Sequence, residues 1–181
     1  MDIKKTVEAE ESFLISLRRH FHENPELSQQ EWKTMDFIEE TLHGWGISTV
    51  RVPRGGIFGM IDSGKDGWTV LMRADIDALP IEENPKNLAC EKVCLSKNHG
   101  VSHACGHDGH MAMLLTAAKI LAAHKDEWEG KVLLMFEEAE EMGERGVGHL
   151  LSYLDEKKIH VDACYGTHMM FCLPGGRVAV R

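Results

Sequence analysis

Four short stretches of the chain concentrate side chains that can hold a metal ion or move a proton. Arg73-Ala74-Asp75-Ile76-Asp77 offers two carboxylates. His103-Ala104-Cys105-Gly106-His107-Asp108-Gly109-His110 packs imidazoles, a thiol and a carboxylate together, with glycines that permit tight turns. Glu137-Glu138-Ala139-Glu140-Glu141 is a dense acidic run, and Thr167-His168 adds one more imidazole. Like charges packed this closely repel, and a divalent cation relieves them. Thiolate, imidazole and carboxylate together suit Zn²⁺, Mn²⁺ or a similar ion, and there are donors enough for two.

Each stretch also has a plainer reading. Asp75 and Asp77 can simply close a strand, and Asp108 can cap a helix. A glutamate run is usually a solvated face, and His168 alone reads as a structural histidine. Position argues for the metal. The glutamates follow the wholly apolar run Val132-Leu133-Leu134-Met135-Phe136, so they start from the edge of a sheet. Other chemistries find less support: the chain has no G-x-S-x-G, no P-loop and no H-E-x-x-H.

The elements that must position these groups can be read from periodicity. Val7–His22 is predicted as one amphipathic helix, with Phe13, Leu14, Leu17 and Phe21 on a stripe, broken by Asn24-Pro25. Ser28-Gln29-Gln30-Glu31 has the form of a capping box and predicts a second helix reaching Leu42. Strands are predicted over Ile47–Val52, Ile57–Ile61 and Thr69–Met72. The polar stretch from Arg73 to Cys105 shows no period, and a loop that long is often functional. A helix over Gly109–His124, a buried strand over Lys131–Phe136 and a helix over Gly148–Lys157 follow. Val161–His168 reads as a further strand, and Arg177–Val180 as the start of another. Strands alternating with helices predict an α/β fold, a central sheet flanked by helices, with chemistry gathered at strand ends.

Composition excludes several classes. At 181 residues with 43% hydrophobic and 27% charged side chains, the chain reads as one soluble globular domain. A net charge of −9 is a poor grip on phosphate, so neither nucleic acid nor an anionic membrane is expected as a partner. Met1 to His20 lacks the apolar centre of a signal peptide, and no later run is apolar enough for a membrane helix. The five cysteines, Cys90, Cys94, Cys105, Cys164 and Cys172, predict reduced thiols in a cytoplasmic setting. Cys90 and Cys94 are spaced too widely for a CxxC pair.

Together the motifs resemble a family. Leu17-Arg18-Arg19-His20-Phe21-His22-Glu23-Asn24-Pro25-Glu26-Leu27-Ser28 resembles the opening motif of the aminoacylase-like metallo-amidohydrolases, the hippurate hydrolase, indole-acetyl-amino-acid hydrolase and N-acyl-amino-acid deacetylase group. Arg73 to Ile81, His103 to His110, Phe136 to Glu141, and Gly166-Thr167-His168 with Leu173-Pro174-Gly175-Gly176 resemble its later motifs, in family order. The resemblance implies a zinc-peptidase-like catalytic domain, with residues 1–181 as its N-terminal part. On this expectation the lid and dimerisation domain and the C-terminal part, which brings a further histidine ligand, lie outside the chain, and full-length relatives are homodimers.

Carried over residue by residue, the resemblance implies Cys105, His107, Glu141 and His168 as metal ligands, with the Cys105 thiolate shared between two ions. It makes Glu140 the general base and Asp77 the group that orients a ligand. The implied reaction is metal-dependent hydrolysis of the amide of a small-molecule N-acyl or N-aroyl amino acid, releasing carboxylate and amino acid. Glu137 and Glu138 stand where the family has Gln and Pro, and Met169-Met170 where an apolar or aromatic pair is usual. The segment Pro85 to Gly100 departs from the usual loop, so substrate preference is not carried over. Two other readings stay open: a truncated, catalytically incompetent metal-binding module, and a structural zinc domain.

Overall fold

The apolar run that precedes the glutamates lies in the middle of the sheet. In the computed structural model, which describes all residues except 87, 89, 144, 171 and 181, β4 (Lys131–Glu137) lies between two partners. On one side β2 (Gly56–Asp62) runs antiparallel to it, and on the other β3 (Thr69–Asp75) runs parallel. β1 (Ser48–Val52) pairs with β2, and β5 (Ala163–Gly166) pairs in parallel with β3, giving the order β1-β2-β4-β3-β5. Both faces are covered, which is why β4 is apolar at every interior position. Val132, Leu134 and Phe136 pack with Leu17 and Phe21 of α2 (Glu11–Glu23), Met35, Ile38 and Leu42 of α3 (Trp32–Gly44), and Met111 and Leu115 of α4 (His107–Ala123). Leu133 and Met135 point the other way, onto Leu150 and Leu154 of α5 (Arg145–Lys157).

This arrangement decides where chemistry can sit. From β3 the chain crosses one face through α4, and from β4 it leaves across the opposite face through α5. The carboxyl ends of these adjacent parallel strands therefore flank a crevice where the connections diverge, the usual ligand position in such sheets. Close approach there depends on glycine. Gly56 has φ of +123°, and a Cβ on it would run into the Phe136 carbonyl. Gly56→Ala is expected to destabilise the protein by about 3 kcal/mol, through backbone strain and overpacking. A denaturant midpoint unchanged from the parent would show that the strands can separate there at little cost.

The structure corrects several expectations. The predicted helix Val7–His22 is two helices, α1 (Ile3–Ala9) and α2, meeting at Glu10. The core holds only the stripe on α2, and α1 buries nothing. The capping box at Ser28 does not form. α3 starts at Trp32, its first N–H groups from Lys33 and Thr34 donate to the Glu26 carboxylate, and the Ser28 hydroxyl donates to Asp77 instead. α4 begins at His107 rather than Gly109, and β3 and β4 run on through Asp75 and Glu137. Strand β5 is shorter than the predicted Val161–His168. Arg177–Val180 is not a strand: Val178 and Val180 stand exposed, and no strand pairs with them among the described residues. Among the described residues no helix is long and apolar enough to cross a membrane.

Candidate metal centre

His107 opens α4, directly after Gly106, whose φ of +92° turns the chain sharply into the helix. Its ring is fully buried, and Nδ1 lies 2.8 Å from the carbonyl oxygen of Asp77 and 3.2 Å from its Oδ1. Both are acceptors, so Nδ1 carries the proton and donates, and in the neutral ring the free lone pair lies on Nε2. That Nε2 is buried without a partner, and so is Glu141 Oε1, 3.7 Å away. Asp75 Oδ1 stands 3.7 Å and Glu140 Oε2 3.9 Å from the same nitrogen. Burying facing acceptors with no donor between them is costly. A cation satisfies both.

A third donor converges on the same point. Cys105 Sγ lies within 4.8 Å of the ligand atoms of His107 and Glu141. Burial pushes its thiol up to about 12, helped by the carboxylates of Glu141, Glu140 and Asp75. A bound dication reverses that balance and makes the thiolate a ligand. His168 is exposed, its Nδ1 donates to the Met169 carbonyl at 2.8 Å, and its Nε2 points at Cys105 Sγ from 3.6 Å. The four residues implied as ligands are thus brought together, and their donor set fits a divalent metal.

Asp77 holds this group from behind. Oδ1 faces the His107 ring, while Oδ2 accepts from the Ser28 hydroxyl at 2.7 Å and the Glu141 N–H at 3.0 Å. Burial alone would raise its carboxyl, but the hydrogen bonds from His107, Ser28 and Glu141 outweigh that and hold it low. Glu140 is shifted the other way, upward, by burial and then by the negative charge of Asp75. A carboxylate whose affinity for a proton is raised suits a general base.

Asp75, His107, His110 and His168 form a second cluster of possible ligands. It is the weaker candidate, because His110 is already engaged through both nitrogens: Nδ1 with Asp75, and Nε2 as acceptor of the Met169 N–H at 2.8 Å. Asp75 is held at about 2: burial opposes ionisation, but His110, His107 and Arg73 outweigh it. Arg73 also bonds Glu137 Oε2 at 2.8 Å, so that glutamate, like buried Glu138, is no solvated face and takes no part in the metal cluster.

Residues 71–181 match the Peptidase family M20/M25/M40. The chain belongs to this family. The N-acyl-L-amino acid amidohydrolase of Geobacillus stearothermophilus is 39% identical over 99% of this chain and 47% of its own length. Thermostable carboxypeptidase 2 of Saccharolobus solfataricus is 40% identical over 99% of this chain and 44% of its own. The crystal structure of a dinuclear metal-binding peptidase of family M20 from Bacillus subtilis superposes with a TM-score of 0.80 at 37% identity, covering 92% of this chain and 45% of that one. The chain spans about half the length of the curated relatives it matches.

In this M20 chain the long polar loop is tied down by groups to which the sequence reading gave no role. Glu83 accepts from Ser96 N–H at 2.7 Å, Lys92 at 2.9 Å and His22 Nε2 at 3.1 Å. His22 Nδ1 reaches Asp108 at 2.7 Å, where Arg18 also pairs at 3.0 Å. Asp108 therefore pins the start of α4 to α2 through Oδ2, while its Oδ1 accepts the first-turn Gly109 N–H at 2.8 Å. Only the opening motif, which contains Arg18 and His22, pointed to them. Cys90 and Cys94 are free thiols, the second buried near Arg18 at 3.5 Å.

Burial opposes ionisation of Glu83, yet its three donors hold it at about 2. A carboxyl depressed in the folded state stabilises fully above its ordinary range, and that stabilisation fades as pH falls through the folded value. The unfolding free energy lost on Glu83→Gln is therefore expected to be larger at about pH 6 than at about pH 3. Equal losses at both would show that the loop is held by something else.

Proposed function

We propose that this chain is the N-terminal part of the catalytic domain of a hydrolase that cleaves the amide of N-acyl or N-aroyl amino acids with two divalent ions, Mn²⁺, Zn²⁺ or similar. The observation that carries the reading is the pair of buried, partnerless atoms, His107 Nε2 and Glu141 Oε1, with Cys105 beside them. Cys105, His107, Glu141 and His168 would hold the ions. When bound, the ions supply Lewis acidity toward a water and toward the scissile carbonyl oxygen. Glu140 takes the proton of the attacking water and passes it to the leaving nitrogen. Asp77 keeps His107 in the tautomer that leaves Nε2 bare and fixes the backbone of Glu141.

Relatives named as an amidohydrolase and a carboxypeptidase both support cleavage of a C–N bond next to a carbonyl. The reading extends to a small-molecule substrate, a homodimeric full-length enzyme and a cytoplasmic setting, the last in keeping with five free cysteines. The test is release of amino acid from a panel of N-acetyl and N-benzoyl amino acids, with dipeptides alongside, by the full-length protein loaded with Mn²⁺ or Zn²⁺. Turnover of the acylated amino acids supports the proposal. Stoichiometric metal binding with no turnover of any of them supports the metal-binding module instead.

A further inference from the structure

Glu31 is a carboxyl that the proposed chemistry leaves unused, fully enclosed at the start of α3. Its Oε1 accepts the N–H of Ala139 at 2.8 Å, while its Oε2 is buried without any partner. Its own carbonyl accepts the Met35 N–H at 2.9 Å, so the group is anchored to a helix whose apolar face lies in the core. Burial, with Asp77 and Glu138 nearby, pushes the carboxyl up to about 7, and both of its protonation states can accept at Oε1.

Ala139 adopts φ 56° and ψ 37°, the left-handed region that a residue with a Cβ enters only when its surroundings impose it. Had β4 simply continued, Glu140 and Glu141 would point to opposite faces of the sheet. The left-handed residue instead throws the chain into the short turn Glu140–Met142, and both carboxylates end within 3.9 Å of His107 Nε2. Asp77 grips that turn at Glu141 N–H. Glu31 grips it at the other end.

We propose that Glu31 is a positioning residue: anchored at the start of α3, it holds the Ala139 N–H and so imposes the left-handed turn that sets Glu140 and Glu141 side by side against His107. The proposal rests on the roles given above to Glu140 and Glu141, and is independent of the substrate's identity.

The experiment uses the full-length protein with Glu31→Gln and Glu31→Met, each with and without Ala139→Gly. Gln keeps an acceptor, and kcat per bound metal should stay within about threefold of the parent. Met keeps the length and loses the acceptor. Its kcat per bound metal should fall by about tenfold or more at little changed KM, because small displacements of reacting groups are expensive. Exchange of the Ala139 amide hydrogen should accelerate, and Ala139→Gly should restore part of the rate, since glycine adopts the left-handed conformation freely. A group that merely supports folding would lower the melting temperature and leave kcat per folded, metal-loaded molecule unchanged, and that result overturns the proposal. Glu31→Leu repeats the test if the Met variant does not fold. If the parent hydrolyses no N-acyl amino acid, the functional reading fails separately. Ala139 exchange and Mn²⁺ affinity then decide the role of Glu31, and no change in either overturns it.

Discussion

Glu140→Gln is expected to lower kcat by at least about a hundredfold while leaving the metal content unchanged. Gln matches Glu in shape but cannot take a proton. In the structure the Glu140 carboxylate stands 3.9 Å from His107 Nε2, and burial and Asp75 raise its proton affinity, as a base working near neutrality requires. On the acid side the rate of the parent should fall as Glu140 becomes protonated, since the raised group loses its charge earlier than an ordinary glutamate would. The variant's residual rate should lack that limb. Metal content by elemental analysis alongside steady-state kinetics is the measurement. A variant that loses its metal and keeps its rate per bound metal would mean that Glu140 and Glu141 have exchanged roles.

Cys105→Ser is the second large effect, and it falls on the metal. The thiol sits near 12 in the bare protein, so only a cation makes it a thiolate, and ion binding displaces its proton. A serine hydroxyl is a far poorer ligand and does not readily bridge two ions. Affinity should drop by more than the roughly 10- to 100-fold that follows from disturbing a ligand's supporting hydrogen bond. Parent affinity should also weaken as pH falls, whereas the serine variant should show less of that dependence. Titration with Mn²⁺ or Zn²⁺ at fixed pH reads both. An unchanged stoichiometry would leave Cys105 a half-buried structural thiol.

What was legible in the sequence is what local chemistry controls. The apolar run of β4 announces a strand covered on both faces, and the stripe of α2 announces one buried helix face. Side chains of the right types at the ends of such elements marked four stretches, the family resemblance picked Asp77, Cys105, His107, Glu140, Glu141 and His168 out of them, and the structure brings all six together. Element boundaries were less legible. Caps and helix breaks are worth only about 1 kcal/mol, and tertiary contacts readily override them. Ser28 is the example: its hydroxyl serves Asp77, 49 positions away, rather than a helix of its own.

By itself, then, the sequence determined the layer architecture and the four stretches that could supply donors, because apolar periodicity and ligand chemistry are properties of neighbouring residues. Tertiary structure alone decided which donors are free. His107 offers Nε2 because Asp77, 30 positions away, takes the proton side of its ring, while His110, equally well typed for a metal, is spent on Asp75 and Met169. Two of the four glutamates at the end of β4 and just beyond it reach the site because Glu31, 108 positions away from Ala139, holds that residue, while Glu137 turns to Arg73. Arg177–Val180, apolar enough to be read as a strand, has no neighbour to pair with among the described residues and forms none. In each case the outcome depends on hydrogen bonds between groups far apart along the chain, and those exist only once the sheet has set its strand ends side by side.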